Sequence, residues 1–208
     1  HKKEMTEEDI KFRFITPAIT AKWSEEQITM EMQITDGKIN LRGNLATRGT
    51  PKKADYILYA APNYPIAVVE AKNNRHSVSH GMQQAKTYAK MLDVPFAYSS
   101  NGDAFSEYDQ FTGLERELPL EDFPSPEELI ARYHEGRQNT DREKQLMGQP
   151  YYSSQDTHEP RYYQRNAINR TVEATARGQQ RILLTLATGT GKTYIAFQIV
   201  YRLLKSGL

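Results

Sequence analysis

Cysteine is absent from all 208 residues, which removes disulfide cross-links and thiolate metal ligands from the chemistry open to this chain. Charge of one sign is missing too: 27 Lys and Arg stand against 26 Asp and Glu, a formal net charge of +1. A polyanion-binding surface would therefore have to come from local clustering. No apolar run approaches the roughly 18 residues of a membrane span, and the opening HKKEMTEEDI lacks the apolar core of a secretory signal. A reducing, cytoplasmic setting with no membrane partner is expected. What is present is ordinary for a folded protein: 38% hydrophobic and 25% charged residues, enough to bury a core.

The pattern along the chain is α/β. TEEDIKFRFITPAITAKW carries Ile10, Phe14 and Ile15 at helical spacing behind a Thr-x-x-Asp cap, predicting an opening helix. QITMEMQI (27–34), ADYILYA (54–60) and PIAVVEAK (65–72) read as strands. Val78, Met82, Ala85, Ala89 and Leu92 then mark a helix, and PFAYSS and AFSEYD two more strands across an Asn101-Gly102 turn. Beyond Gly113 the strand signals fade into a charged helical stretch after Pro124 and Pro126. A further helix, RYYQRNAINRTVEATARG, closes at Gly178, and RILLTLATGTGKTYIAFQIVYRLLKSGL reads as strand, glycine loop and helix. The expected division is a first domain over 1–115, a linking helical segment over 116–158, and the start of a second domain over 159–208.

The glycine loop predicts a nucleotide site. The apolar run Ile182 to Leu186 leads into Ala187-Thr188-Gly189-Thr190-Gly191-Lys192-Thr193 and then a helix. Glycines at 189 and 191 let backbone N–H groups crowd around phosphate oxygens at a helix N-terminus. Lys192 would meet the β- and γ-phosphates, and Thr193 a magnesium ion. The common pattern wants glycine where this chain has Leu186, so the spelling resembles the variant in superfamily 2 helicases. Upstream, Arg161-Tyr162-Tyr163-Gln164 resembles the Q motif of those helicases, in which a glutamine amide donates to and accepts from adenine.

A second constellation predicts hydrolysis of phosphodiesters. Asp55 begins one strand, and Glu70-Ala71-Lys72 ends the next, where period-two alternation turns Glu70 and Lys72 to one face. Two hard carboxylates suit Mg2+, and an amine beside them can position water or a developing anion. The spacing resembles that of PD-(D/E)XK nucleases, although Ala54 stands where that family has proline. Gln84 and Tyr88, one helical turn apart, match the QxxxY element of the RecB-like branch. Glu7, on the first helix, is a further candidate metal ligand. His76 and His80, without further ligands, carry no zinc expectation. Arg42, Arg48, Lys52 and Lys53 precede Asp55 and could reach DNA phosphates, with a solvated loop as the equal alternative.

Taken in order, TEEDIKFRFITPAITAKW, RGTPKKADYILY, PIAVVEAK, QQAKTYAK, PFAYSSNG, RYYQ and LATGTGKT resemble the motor (R) subunit of type I restriction enzymes. The resemblance implies a RecB-like nuclease domain, a mixed sheet flanked by helices, followed by the first part of a RecA-like P-loop helicase domain. It implies an endonuclease that uses ATP and Mg2+, translocates double-stranded DNA, and works with separate modification (methyltransferase) and specificity subunits. It assigns cleavage to Asp55, Glu70, Lys72, Gln84 and Tyr88, and nucleotide binding to Gln164, Gly189, Gly191, Lys192 and Thr193, with Arg161, Thr188 and Thr190 beside them. The carboxylate and arginines that complete such a motor are not in this sequence, so this piece alone is expected not to hydrolyse ATP. Two rivals stand beside this reading: a stand-alone nuclease-helicase fusion of DNA repair or defence, and an ATP- and DNA-binding module whose nuclease domain is inactive.

Overall fold

Thr6 opens the first helix as the sequence predicts. Its hydroxyl accepts from the Asp9 N–H at 3.1 Å while the Asp9 carboxylate accepts from the Thr6 N–H at 3.1 Å. In the computed structural model this helix is continuous but not uniform: α1 (Glu7–Ile10) passes through a π-helical turn (Lys11–Ile15) into α2 (Thr16–Thr20). The structure describes residues 1–35, 39–42, 45–48, 51–155 and 158–207, with the side chains of 35–50 outside the description. The side chains of Arg42 and Arg48 therefore lie outside the described residues.

Eight strands follow among the described residues: β1 (Ile28–Thr35), β2 (Ile39–Arg42), β3 (Leu45–Arg48), β4 (Lys52–Ala61), β5 (Tyr64–Ala71), β6 (Phe96–Ser100), β7 (Ala104–Asp109) and β8 (Leu114–Pro119). Six make one sheet in the order β1-β4-β5-β6-β7-β8, and β2 and β3 pair separately. All neighbours in the large sheet run antiparallel except β5 and β6. That parallel pair needs a crossover, which α3 (Met82–Leu92) supplies.

Helices cover both faces of the sheet. On one, Ile10, Ile15, Ile19 and Trp23 pack with Tyr56, Leu58, Val69 and Tyr98, joined by Phe123, Leu129 and Tyr133. On the other, Met82, Ala85, Tyr88 and Leu92 of α3 pack on Ile57, Val68 and Ala97. The Trp23 indole N–H donates to the Pro124 carbonyl at 2.8 Å, tying the opening helix to the segment before α4 (Pro126–Arg137).

Two expectations are corrected here. Strands do not end at Gly113: β8 pairs with β7 along its length, and it escapes the sequence pattern because nearly every residue of this edge strand is exposed. Nor is Ile182 to Leu186 a strand. Leu183 is 90% exposed, and among the described residues no strand lies alongside it, so its backbone has no ladder to join. The chain ends in α5 (Asp141–Met147), α6 (Tyr162–Ala176) and α7 (Lys192–Lys205), with Gly178 past α6 at φ +86°. No helix of the described residues is long and apolar enough to cross a membrane.

Candidate active site

Period-two alternation decides which side chains of β5 meet α3. Val69 packs in the core under α2 and α4, and Val68 packs under α3, so Glu70 faces the α3 side. The β4–β5 register pairs Tyr56 with Val69, and one step further along it Asp55 stands opposite Glu70. The structure brings the two acids together there: Glu70 Oε1 accepts from the Asp55 N–H at 3.4 Å, and Asp55 Oδ2 accepts from the Ala71 N–H at 2.8 Å. Lys72 Nζ stands 3.8 Å from Glu70 Oε2.

Glu70 is 1% exposed. Burial and then the nearby Asp55 charge push its carboxyl up from 4.5 to about 8, and Lys72 only partly opposes them. Glu7 feels the same locale. Its carboxyl is raised by burial, lowered by Lys72 and raised again by Asp55, which places the first helix against the site. Glu70 is buried and Asp55 partly so, with Lys72 Nζ near the one and Lys11 Nζ 3.1 Å from the other, and hard carboxylate oxygens set side by side are a donor set that a divalent cation fits.

The helix after β5, α3, flanks this cluster. Gln84 Nε2 donates to Tyr88 Oη at 3.1 Å, and burial leads the causes that raise the Tyr88 phenol, with Glu70 and Asp55 adding to it. Three residues that carried no expectation also converge here. The Gly81 N–H donates to Ser99 Oγ at 3.0 Å, and a Cβ at Gly81 would meet that oxygen at 2.8 Å and Lys72 Cε at 3.3 Å. Ser99 pairs with Glu70 across the β5–β6 register. Lys11 Nζ donates to Asp55 Oδ1 at 3.1 Å. A Gly between two polar turns gives a sequence-level hint of close approach; Lys11 and Ser99 give none.

The glycine loop lies elsewhere, at the start of α7. Gly189 and Gly191 adopt φ of +78° and +79°, conformations that L side chains rarely accept. A Cβ on Gly191 would sit 2.5 Å from Gln164 Nε2. Gln164 itself braces the loop: its Nε2 donates to the Thr190 carbonyl at 2.9 Å, and its Oε1 accepts from the Arg161 N–H at 2.9 Å. Arg161, Gln164, Gly189 and Gly191 line a cavity of about 520 Å³ with Tyr152, Tyr163 and Phe197 among its walls. Thr188, Lys192 and Thr193 are exposed, and Thr190 is half-buried with its hydroxyl on the Ala187 carbonyl at 2.7 Å. Open backbone at the N-terminus of a long helix, next to a cavity with aromatic walls, fits a nucleotide's phosphates and base.

Comparison with known proteins bears on both regions. A family described as type III restriction enzyme, res subunit, matches residues 157–208, and one described as the second domain of the type I restriction enzyme EcoKI endonuclease subunit matches residues 35–93. The chain is 46% identical, over 97% of its length, to the type I restriction enzyme EcoAI endonuclease subunit of Escherichia coli, covering 26% of that protein. It is 27% identical, over 74% of its length, to the EcoKI endonuclease subunit of Escherichia coli strain K12, covering 17% of that protein. The chain thus spans about a quarter or less of the curated relatives it matches. Among solved structures, a fragment described as an HsdR subunit of a type I restriction enzyme from Vibrio vulnificus YJ016 superposes with a TM-score of 0.84 at 41% identity, covering 97% of this chain and 38% of that one.

Proposed function

The chain belongs to the family of type I restriction enzyme endonuclease subunits, and from that premise we propose that it carries a PD-(D/E)XK nuclease centre at Asp55, Glu70 and Lys72 and the first nucleotide-binding elements of a RecA-like, ATP-driven motor. The observation that carries the reading is the meeting of two carboxylates from adjacent antiparallel strands with the Lys72 ammonium, beside a helix presenting Gln84 and Tyr88. The 1–115, 116–158 and 159–208 division belongs to the same proposal, with the first unit extended past 115 to keep all of β8 (Leu114–Pro119) in the sheet.

Asp55 and Glu70 would hold a Mg2+ ion, with Glu7 on the approaching helix, and the bound ion would supply Lewis-acid polarisation of the scissile phosphate and a more acidic water. The protein's own part is positional. Asp55 is oriented by the Ala71 N–H, and Glu70, whose carboxyl is raised by burial and by the Asp55 charge, would hold the ion as its carboxylate. Lys72 stands where it can hold the attacking water or the anion that forms. Tyr88 and Gln84 wall the α3 side. At the second site, N–H groups around Gly189 and Gly191 take ATP phosphates, with Lys192 as point charge and Thr193 as hydroxyl ligand. Thr188 and Thr190 shape the loop. The Gln164 amide keeps one donor and one acceptor site for a base edge after its two internal bonds, and Arg161 flanks it. In the intact protein these parts would serve ATP-driven translocation and cleavage of double-stranded DNA, in a cytoplasmic complex with modification and specificity subunits.

Lys72→Ala in the full-length subunit, assembled with its partners, tests the reading. DNA cleavage should fall by at least about a hundredfold while DNA-stimulated ATP hydrolysis persists. Loss of both activities, or of neither, sinks the assignment.

A further inference from the structure

Lys11 lies in the π-helical turn between α1 and α2, where Ile10 and Ile15 already anchor the helix to the core. Its side chain is nevertheless only 3% exposed. Its ammonium donates to Asp55 Oδ1 at 3.1 Å, to Glu8 Oε1 at 3.1 Å, and to Glu31 Oε1. An ammonium has three hydrogens, and all three go to carboxylates. A buried lysine is costly unless fully paired, and neither the helix nor the core requires one here.

Glu31 is unusual in its own right. Its neighbours pair regularly with β4, Met30 with Tyr56 and Met32 with Ala54, yet Glu31 itself sits at φ +53°, a strained conformation for a residue with a Cβ. The carboxylate carried by this strained residue thus meets the buried cation at Lys11 Nζ. That atom also holds one oxygen of Asp55, while the Ala71 N–H holds the other. The carboxylate plane is therefore set before any cation arrives, with a lone pair left on each oxygen.

We propose that Lys11, braced by Glu31, is a positioning residue of the cleavage centre that clamps Asp55 in the orientation needed to hold a divalent ion. The inference rests on the reading of Asp55 and Glu70 as the ion's ligands. Orientation and charge pull in opposite directions here: without the clamp Asp55 rotates away, whereas a removed ammonium no longer repels the ion. The doubly fixed carboxylate favours the first effect, and loss of such an outer partner lowers metal affinity by about ten- to a hundredfold.

The test is Mn2+ titration of the full-length subunit by calorimetry, without DNA, on wild type, Lys11→Met, Glu31→Gly and Asp55→Asn. Lys11→Met should bind Mn2+ at least tenfold more weakly, and Glu31→Gly severalfold more weakly, with DNA-stimulated ATP hydrolysis by the assembled enzyme, measured separately, unchanged in both. Wild-type or tighter binding by folded Lys11→Met overturns the proposal and makes Lys11 a competitor or a bystander. Glycine relieves the left-handed backbone at 31, so that variant decides the matter if Lys11→Met fails to fold: unaltered affinity there also overturns it. Wild-type Mn2+ binding that survives Asp55→Asn instead brings down the parent reading, and the two failures are distinct.

Discussion

Glu70 is held where its charge is least welcome, at the buried end of β5 against a second carboxylate. In the unfolded chain it loses its proton near 4.5, whereas in the folded chain it keeps the proton to about 8. Between those values the folded state binds the extra proton, so stability falls as pH rises through the window, and the penalty is complete above 8. Glu70→Gln removes the penalty without changing the side chain's shape. In divalent-free buffer that variant should melt several degrees above wild type at pH 8.5, a gain on the order of 1–3 kcal/mol, and the margin should close toward pH 5. Adding Mg2+ should raise the wild-type melting temperature and leave Glu70→Gln unmoved. A margin that closes toward pH 5 yet ignores Mg2+ would mean that Glu70 is merely a badly solvated core residue, and a margin independent of pH would mean that its proton is not held more tightly in the folded chain.

The helix α3 owes its position to its first turn. Gly81, just before Met82, has an ordinary αR backbone, so its requirement is one of space: Ser99 Oγ, Glu70 Cβ and Lys72 Cε all crowd the place a Cβ would occupy. Gly81→Ala should therefore destabilise by roughly 1–3 kcal/mol, and displacement of Lys72 should lower cleavage by about tenfold or more in a strand-cleavage assay. Wild-type cleavage would show that the site tolerates a shifted α3. The convergence of Asp55, Glu70 and Lys72 was legible because alternation turns Glu70 and Lys72 to one face and an adjacent strand could bring Asp55 beside them, and the meeting of Gln84 with Tyr88 because helical spacing puts both on one face. Lys11 was not, since only the folded chain brings it within 3.1 Å of a carboxylate 44 residues away. Nor was β8, whose Leu114-Glu115-Arg116-Glu117 sequence advertises solvent rather than a sheet. The run at 182–186 misled in the opposite sense: its apolar spelling is that of a strand buried between neighbours, and among the described residues it has none.

At the scale of the molecule, two helices join the glycine loop to the six-stranded sheet by contacts of unequal weight. Across α6, the Arg170 guanidinium pairs with Asp93 at the end of α3, and Asn166 Nδ2 donates to the Met91 carbonyl at 2.9 Å. Deeper in, Arg202 of α7 is fully buried and donates to Tyr64 Oη, Asn169 Oδ1 and the Leu146 carbonyl at 2.7, 2.8 and 2.7 Å. Its guanidinium also lies over the rings of Tyr64 and Tyr151. Tyr64 begins the strand that ends beside Glu70, and α7 begins at Lys192, so this arginine joins the elements that carry both sites. The Arg170–Asp93 pair is some two-fifths exposed on each side, and water screens it; Asp93→Asn should cost under about 1 kcal/mol. Arg202→Met strips three charge-assisted bonds from a dry junction and leaves the Asn169 oxygen and the Leu146 carbonyl buried without that donor, a loss of about 2–5 kcal/mol. Limited proteolysis separates the cases: Arg202→Met should be cut rapidly between the sheet and α7 under conditions where Asp93→Asn and wild type resist. Equal resistance in all three would mean that the apolar contacts of α6 and α7 hold the junction unaided, and that Arg202 is a filler of the space between β5 and α7 rather than its fastening.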